Sequence, residues 1–150
     1  MKKNSKFFAQ NRKVGFDFEL LDKYEAGIIL TGHETKAVKD GRATLNGAFV
    51  DVKNGKAELL NAVIKPYQPN NAPENYKEDR VRELLLNRKE LKKLQVEQES
   101  KGLTIVPISL YNKNDLIKLE IALARRRKKA DKREAIKKRD FEKRKKQITR

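Results

Sequence analysis

The chain has 150 residues but contains no cysteine, no tryptophan and only one histidine. Without cysteine the protein can form neither disulfides nor thiolate metal sites, and a Cys–His nucleophile is excluded as well. The single histidine, His33, cannot build a histidine-rich metal centre by itself. It lies at the start of a predicted short helix, where we expect an exposed or capping role rather than that of a general base. These absences predict a protein without metal or cofactor, in a cytosolic setting.

Long hydrophobic runs are also missing. No stretch approaches the roughly 18 consecutive apolar residues of a membrane span, and no apolar segment of signal-peptide length follows the basic N-terminus. The glycine motifs of P-loop and dinucleotide-binding proteins do not occur. Asp17, Glu19, Asp22 and Glu25 could in principle hold Mg²⁺, but we interpret them as polar positions on half-buried strands. We therefore expect a cytoplasmic protein that is not an enzyme.

Positive charge is what the sequence has in excess, and most of it lies at one end. The chain carries 37 Lys and Arg against 21 Asp and Glu, a formal net charge of +16. Residues 125–150 alone contain fifteen of these bases and four acids, a net charge of +11. Three of the acids lie four residues before a base, which favours a helix, and neither Gly nor Pro follows Asn114. This basic arm is therefore able to form a helix.

The apolar residues of the arm are too few and too scattered to dock on a core. The pattern predicts a tail that is disordered when free and helical when it lies along a polyanion. Phosphate backbone is the most common polyanion in a cell, so nucleic acid is the favoured partner. A membrane surface would require a larger apolar face than the arm has, and a tail that only aids solubility remains the other alternative.

The rest of the chain reads as short strands, a few short helices and bends. Residues 16–30 are rich in strand formers, and Gly27 within them suggests a bulge or bend. Strands at 48–53 and 56–64 flank Asn54-Gly55, which is a strong hairpin signal. After a proline-rich loop at 65–77 we expect a polar helical region, and two final strands at 103–111 and 116–123.

Two helices carry explicit boundary signals. Thr31 and Glu34 have the spacing of a capping box, which predicts a helix from about residue 32 to 40 that ends at Gly41. Asn87 predicts the start of a second helix that runs to about residue 101, before Gly102. We predict a mainly β fold with short helices: an OB-like antiparallel β-barrel with flanking helices at 10–124, a flexible basic N-terminus at 1–9 and a basic C-terminal tail at 125–150.

Few residues of the predicted barrel suggest contact with RNA by themselves. The segment Asn11-Arg12-Lys13 adds a second cationic spot before the first strand, although alone it would be only a charged lead-in. Four tyrosines could stack on bases, but each is at least as well explained as a core or hairpin residue. They are Tyr24, Tyr67, Tyr76 and Tyr111.

A set of motifs nevertheless follows in unbroken order along the chain. They include Asn11-Arg12-Lys13, Tyr24-Glu25-Ala26-Gly27-Ile28, Leu30-Thr31-Gly32-His33-Glu34-Thr35-Lys36, Gly41-Arg42-Ala43, Leu84-Leu85-Leu86-Asn87 and Asp131-Lys132-Arg133. Over roughly residues 10–140 this set resembles one family, the bacterial SsrA-binding proteins (small protein B). Each fragment is weak alone, but their order makes the resemblance specific.

The resemblance implies an RNA-binding barrel, monomeric in free solution, that holds the tRNA-like domain of transfer-messenger RNA. It also implies delivery of that RNA to stalled ribosomes in trans-translation, with the tail as a helix in the empty mRNA channel near the decoding centre. By position in the motifs, RNA contacts are expected from Asn11, Glu25 and Leu85. Arg12, Lys13, Lys36 and Arg42 are expected phosphate contacts on charge grounds.

The same resemblance assigns the tail to the ribosome. The expected contacts are Arg125, Arg126, Arg127, Lys128, Asp131, Lys132, Arg133, Lys137, Lys138 and Arg139. This chain departs from the family pattern at Arg126, where a glycine is usual, at Ala130, where His or Tyr is common, and at Glu83, where a lysine is common. A hinge and a stacking contact are thereby lost, while the charge is kept.

Two other functions remain open at this stage. A generic OB-type RNA-binding or ribosomal protein, whose tail threads into ribosomal RNA, fits the composition and charge equally well. A nuclease would need Mg²⁺-dependent cleavage that depends on Asp17 or Glu25, and the sequence offers no positive support for it.

Overall fold

The computed structural model describes residues 7–128, 133 and 136–141. Nine strands and three α-helices account for most of the regular structure. The strands are β1 (Phe7–Gln10), β2 (Phe18–Ile28), β3 (Ala43–Thr44), β4 (Phe49–Lys53), β5 (Lys56–Leu60), β6 (Val63–Ile64), β7 (Arg82–Leu85), β8 (Thr104–Lys113) and β9 (Leu116–Arg126). The helices are α1 (Val14–Asp17), α2 (Gly32–Lys39) and α3 (Arg88–Lys101).

Seven of the strands form one antiparallel sheet that closes on itself. The strand order is β1-β8-β4-β5-β7-β2-β9, and a further pairing of β9 with β8 completes a ring of six strands. β1 pairs with the outer part of β8, and the short strands β3 and β6 pair separately. Closure removes the exposed sheet edges within the ring, as the predicted barrel requires.

The core lies inside this ring, where alternate residues of each strand point. In β9, Leu119, Ile121 and Leu123 are buried, and Ala26 in β2 and Ile105 in β8 meet them there. One face of β9 is therefore core, as the alternation at residues 116–123 predicted. The other face is covered at its C-terminal end, where Ala122 and Ala124 are also buried and Ala124 packs with Val14 and Val106 in a second cluster.

The two predicted helices begin and end as their boundary signals indicated. Thr31 accepts a hydrogen bond from the N–H of Glu34, and the Glu34 carboxylate accepts one from the N–H of Thr31. Asn87 and Glu90 form the same reciprocal pair at the start of α3. Gly102 ends α3 with a left-handed φ of 64°, a conformation that glycine adopts without steric cost.

The α3 cap allows a direct stability prediction. Replacing Asn87 by Ala removes the acceptor for the Glu90 N–H, at 2.8 Å in the structure, and should lower the free energy of unfolding by about 1 kcal/mol. Urea denaturation of Asn87→Ala beside Asn87→Ser measures this. The serine variant retains a capping oxygen and should stay near the wild type; equal losses in both variants would contradict the capping explanation.

Three sequence predictions about the fold were wrong in detail. Residues 78–83 are not helical: a loop leads into β7, because the buried Arg82 pairs with Glu34 and Leu84 enters the core. Residues 7–9, assigned to a flexible N-terminus, lie in β1. The bulge in β2 falls between Leu20 and Lys23, not at Gly27, which is regularly paired.

The last strand also differs from its prediction. β9 continues to Arg126, two residues beyond the predicted end of the barrel, so Arg125 and Arg126 belong to the strand rather than the tail. The hairpin at Asn54-Gly55 is confirmed, with positive φ at both residues.

An ion-pair network joins α2 to the barrel wall. The carboxylate of Glu34 accepts hydrogen bonds from Arg82 at 2.8 and 3.1 Å and from Arg80. Arg82 also donates to the carbonyl of Ala62 at 3.0 Å. Burial favours the neutral acid, but the hydrogen bonds from Arg80, Thr31 and Arg82 outweigh it and lower the pKa of Glu34 to about 2. This network fixes β7, which carries Leu85, relative to α2.

His33 also has a structural role, which corrects the expectation of an exposed or capping residue. Its Nε2 accepts a hydrogen bond from the backbone N–H of Tyr67 at 3.1 Å, and its ring lies edge-on to Tyr76. The Tyr76 hydroxyl in turn donates to the carbonyl of Ile64 at 2.6 Å. His33 therefore ties the proline-rich loop to α2.

Within the part of the chain that the structure describes, no helix is long and apolar enough to cross a membrane.

Candidate nucleic-acid interface

One row of paired residues crosses the outer face of five neighbouring strands. Leu85 in β7 is opposite Gly27 in β2, which is opposite Lys118 in β9. Lys118 is paired with Tyr111 in β8, and Tyr111 with Phe7 in β1. Directly paired residues share a face of a sheet, so the row forms a continuous surface, with Leu85 and Phe7 each 54% exposed at its ends. We call it the outer row.

Gly27 has a specific place in the outer row. A Cβ atom there would lie 3.3 Å from the Cβ of Leu85, closer than ordinary van der Waals contact. The absence of a side chain at Gly27 therefore lets the Leu85 side chain pack closely over β2. The sequence placed Glu25 and Leu85 in the same candidate site, and the structure brings them onto one face.

Glu25 lies two residues from Gly27 on the same face of β2 and binds two neighbours. The Tyr111 hydroxyl donates to Oε2 of Glu25, and Lys113 Nζ lies 3.1 and 3.2 Å from the two carboxylate oxygens. The hydrogen bond from Tyr111 lowers the pKa of Glu25, and Lys113 and Lys118 add to this effect although partial burial opposes it. Glu25 is thus an ionised carboxylate whose charge is compensated by neighbouring lysines and whose position is fixed. This compensation removes much of its repulsion for phosphate.

A depression of about 420 Å³ opens at this point of the surface. Its lining includes the rings of Phe7 and Tyr111, together with Glu25, Ser109 and Lys113. The lining combines apolar rings with a cation and a carboxylate, the mixture that can receive an unstacked base and its phosphate.

Asn11 lies beside a different groove. Its side-chain amide donates to the carbonyl of Pro107 at 3.0 Å, and its backbone N–H donates to the carbonyl of Ile108 at 2.8 Å. It lines a groove with Phe18, Arg126 and other residues, not the depression at Glu25. Asn11 therefore positions the turn after β1 against β8, a role that the sequence did not indicate.

The other predicted phosphate contacts are exposed but separate. Arg12 and Lys13 line a surface hollow with residues of the segment 43–46. Arg42 precedes that segment and forms an exposed ion pair with Asp40 at 2.8 Å, while Lys36 is exposed on α2. The structure does not bring these four bases into the depression at Glu25.

The start of the basic arm is held against the segment 15–19. Arg125 pairs with Glu19 at 3.1 Å, and the Arg126 guanidinium lies over the ring of Phe18 at 5.0 Å from its centroid. Arg127 donates through Nε to the carbonyl of Gly15 at 3.1 Å and through its backbone N–H to the carbonyl of Asp17. Lys128 is exposed. A glycine at position 126 could not make the stacking contact that Arg126 makes.

The structure describes part of the remaining arm. Arg133 and residues 136–141 are helical and exposed, which includes the predicted contacts Lys137, Lys138 and Arg139. Arg139 lies over the ring of Phe16 at 5.0 Å. The predicted contacts Asp131 and Lys132, and the substitution at Ala130, lie outside the described residues.

The sequence did not single out several residues of the outer row and of the depression beside it. Phe7, Lys113 and Lys118 were not proposed, and Tyr111 was one of four equivalent tyrosines. Two of those tyrosines, Tyr24 and Tyr67, pack against the core. The hairpin register of β8 and β9 was the available signal, since it places Tyr111 opposite Lys118 once the turn at 114–115 is fixed.

The barrel, its mixed aromatic and polar face and the cationic arm together define a small β-barrel protein of the nucleic-acid-binding class. The family model of the SmpB protein matches residues 8–150. The chain belongs to this family, and the resemblance found in the sequence is confirmed.

Known relatives agree with this assignment. An SsrA-binding protein of Sulfurihydrogenibium sp. is 45% identical over 138 residues, which cover 92% of this chain and 90% of the relative. The SsrA-binding protein of Rubrobacter xylanophilus is 47% identical over 130 residues, 86% of this chain and 85% of that one. A solved chain from work described as "tmRNA-SmpB: a journey to the center of the bacterial ribosome" is 35% identical, with a TM-score of 0.67, and covers 89% of this chain and 94% of its own length.

Proposed function

We propose that this protein is an RNA-binding factor of trans-translation. It binds the tRNA-like domain of transfer-messenger RNA through the outer row and the depression at Glu25. It delivers this RNA to stalled ribosomes in the cytoplasm, where the basic arm enters the empty mRNA channel near the decoding centre. It works by binding, without a catalytic step of its own.

The proposal is supported by one combined observation: the family to which the chain belongs, and an exposed surface that contains two of the residues expected to contact RNA. Relatives that match most of the chain carry the name SsrA-binding protein, and Glu25 and Leu85 lie together on an exposed face of the barrel. Tertiary packing does not require either side chain, because Leu85 is 54% exposed and the Glu25 side chain is 38% exposed. A ligand that covers this face accounts for both.

Substitution at this face should weaken binding of the isolated tRNA-like domain. We expect Glu25→Ala to raise the Kd about tenfold or more, equivalent to about 1.4 kcal/mol. Asn11→Ala should also weaken binding, through displacement of the turn after β1. Filter binding or fluorescence anisotropy with the full-length protein at physiological salt measures both.

The matched control is Val96→Ala on α3, which removes a 53% exposed side chain from another part of the protein. Its Kd should equal that of the wild type. Unchanged affinity in both Glu25→Ala and Asn11→Ala would contradict an RNA-binding site that depends on these two residues. Thermal denaturation of Asn11→Ala separates loss of contact from loss of fold, since its amide also bonds to Pro107.

A further inference from the structure

Two aromatic rings lie side by side on the outer face of the barrel without a core to fill. The ring centroids of Phe7 and Tyr111 are 6.2 Å apart, and the ring planes are inclined by 59°. Phe7 is 54% exposed although it is a large apolar residue. Exposed aromatic pairs rimmed by polar groups are typical of binding surfaces.

The surroundings hold Tyr111 in one orientation. Its hydroxyl donates to Glu25, and Lys113 donates to both oxygens of the same carboxylate. The ring of Tyr111 is therefore clamped at its hydroxyl end, while its pairing with Phe7 supports it from β1. A clamped ring loses little conformational entropy when a ligand stacks on it.

The depression beside the rings suits one nucleobase. Its volume of about 420 Å³ lies at the lower end of the range for small-molecule pockets. Lys113 lines it, and Lys118 follows Tyr111 in the outer row. Ring faces for a base and ammonium groups for its phosphates are the requirements of an unpaired nucleotide, whereas a base pair in a duplex exposes no ring face.

We propose that Phe7 and Tyr111 form a stacking platform for one unpaired base of the bound RNA, and that Glu25 acts as a positioning residue that holds Tyr111. This inference rests on the proposed function only in that the ligand is RNA. It gives an acid at an RNA-binding surface a purpose: Glu25 serves the RNA through Tyr111.

Substitutions separate the platform from simple charge effects. Stacking of one base contributes about 1–3 kcal/mol, so Tyr111→Leu should weaken binding of the tRNA-like domain about 5- to 150-fold. Phe7→Leu should have a smaller effect in the same direction, and Tyr111→Phe, which retains the ring, should lose less than Tyr111→Leu. The control is again Val96→Ala on α3, an exposed apolar residue outside the depression and outside the groove at Asn11, which should bind like the wild type.

A double-mutant cycle tests the positioning role of Glu25. By charge alone, Glu25→Ala should strengthen binding to a polyanion, but a positioning role predicts weakening. The loss should also disappear when Glu25→Ala is combined with Tyr111→Leu, because the ring that Glu25 holds is then absent. Equal, additive losses in both backgrounds would show that Glu25 acts independently of Tyr111.

Ultraviolet cross-linking of the full-length protein distinguishes this inference from the proposed function. A single-stranded oligonucleotide should cross-link at Phe7 or Tyr111, as mapped by mass spectrometry, and a fully paired duplex of the same sequence should not. Cross-links confined to other residues, together with wild-type affinity in Tyr111→Leu, would overturn the platform even if transfer-messenger RNA were bound selectively. Cross-links at the platform without selectivity for transfer-messenger RNA would retain the platform and reject the proposed function.

Discussion

Deletion of residues 129–150 should abolish tagging on stalled ribosomes and leave binding of the isolated tRNA-like domain within about tenfold of the wild type, a difference of about 1.4 kcal/mol or less. The deleted segment contains eleven bases and four acids, and its described residues, 133 and 136–141, lie outside the strands of the barrel. In the proposed function this segment acts in the mRNA channel of the ribosome, whereas the barrel binds the RNA. An in vitro tagging assay on messages without a stop codon, run beside RNA binding, measures both results.

The truncation is placed after Lys128 for a structural reason. Arg125 and Arg127 are bonded to Glu19, Gly15 and Asp17, so their removal would disturb the end of β9. The truncated protein should unfold at nearly the wild-type temperature. Loss of RNA binding in proportion to loss of tagging would contradict a separate role of the arm in the mRNA channel.

The salt dependence of ribosome binding is a second measurement on the truncated protein. Each phosphate contact that the arm makes contributes about −0.7 to −0.9 to the slope of log affinity against log salt concentration. The slope should therefore be less negative in the truncated protein, by the sum of several such contributions. An unchanged slope would show that the arm makes few phosphate contacts on the ribosome.

Substitution of Glu34 by Gln should destabilise the barrel strongly, with a loss of about 3–5 kcal/mol in the free energy of unfolding. Glu34 is 1% exposed and Arg82 is fully buried, so the substitution leaves a buried guanidinium without its counter-charge. The lowering of the Glu34 pKa from 4.5 to about 2 corresponds to about 3 kcal/mol, of the same order. Thermal unfolding should show a decrease in Tm of about 10 °C or more.

The matched control is Glu19→Gln, which breaks an exposed ion pair with Arg125. Because solvent screens exposed pairs, this change should cost less than about 1 kcal/mol. Equal effects of the two substitutions would show that the Glu34–Arg82 pair contributes no more than a surface pair.

The same network predicts a pH dependence of stability. The pKa of Glu34 is lower in the folded state than the ordinary value of 4.5, so the folded state binds fewer protons than the unfolded chain in this range. The stabilisation by Glu34 is therefore complete above about pH 4.5 and is lost as the pH falls towards 2. Denaturation at a series of pH values should show this loss in the wild type and a smaller one in Glu34→Gln.

Local chemistry made much of the fold predictable. Capping boxes, the Asn54-Gly55 turn and Gly102 act over four residues or fewer, so the sequence displays them directly. The alternating pattern of β9 is equally local. These signals located α2, α3 and the hairpins, and the motif order indicated the family.

Contacts between distant segments were not predictable in this way. In β7, Arg82 forms its ion pair with Glu34, which lies 48 residues earlier in the chain. No local sequence pattern predicts this pairing. The outer row depends on the register of five strands, so Phe7 could not be assigned to a site from the sequence, and the β8–β9 hairpin alone related Lys118 only to Tyr111. The packing of Arg126 on Phe18 likewise needed the barrel to bring both ends of the chain together.

The most direct test of the proposed function is the affinity of the purified full-length protein for transfer-messenger RNA against an unrelated structured RNA of equal length at physiological salt. We expect a preference of about a hundredfold or more, equivalent to about 3 kcal/mol, since a shaped surface discriminates where charge alone does not. Equal and steeply salt-dependent binding to both RNAs would contradict the proposal and leave a generic basic RNA-binding barrel.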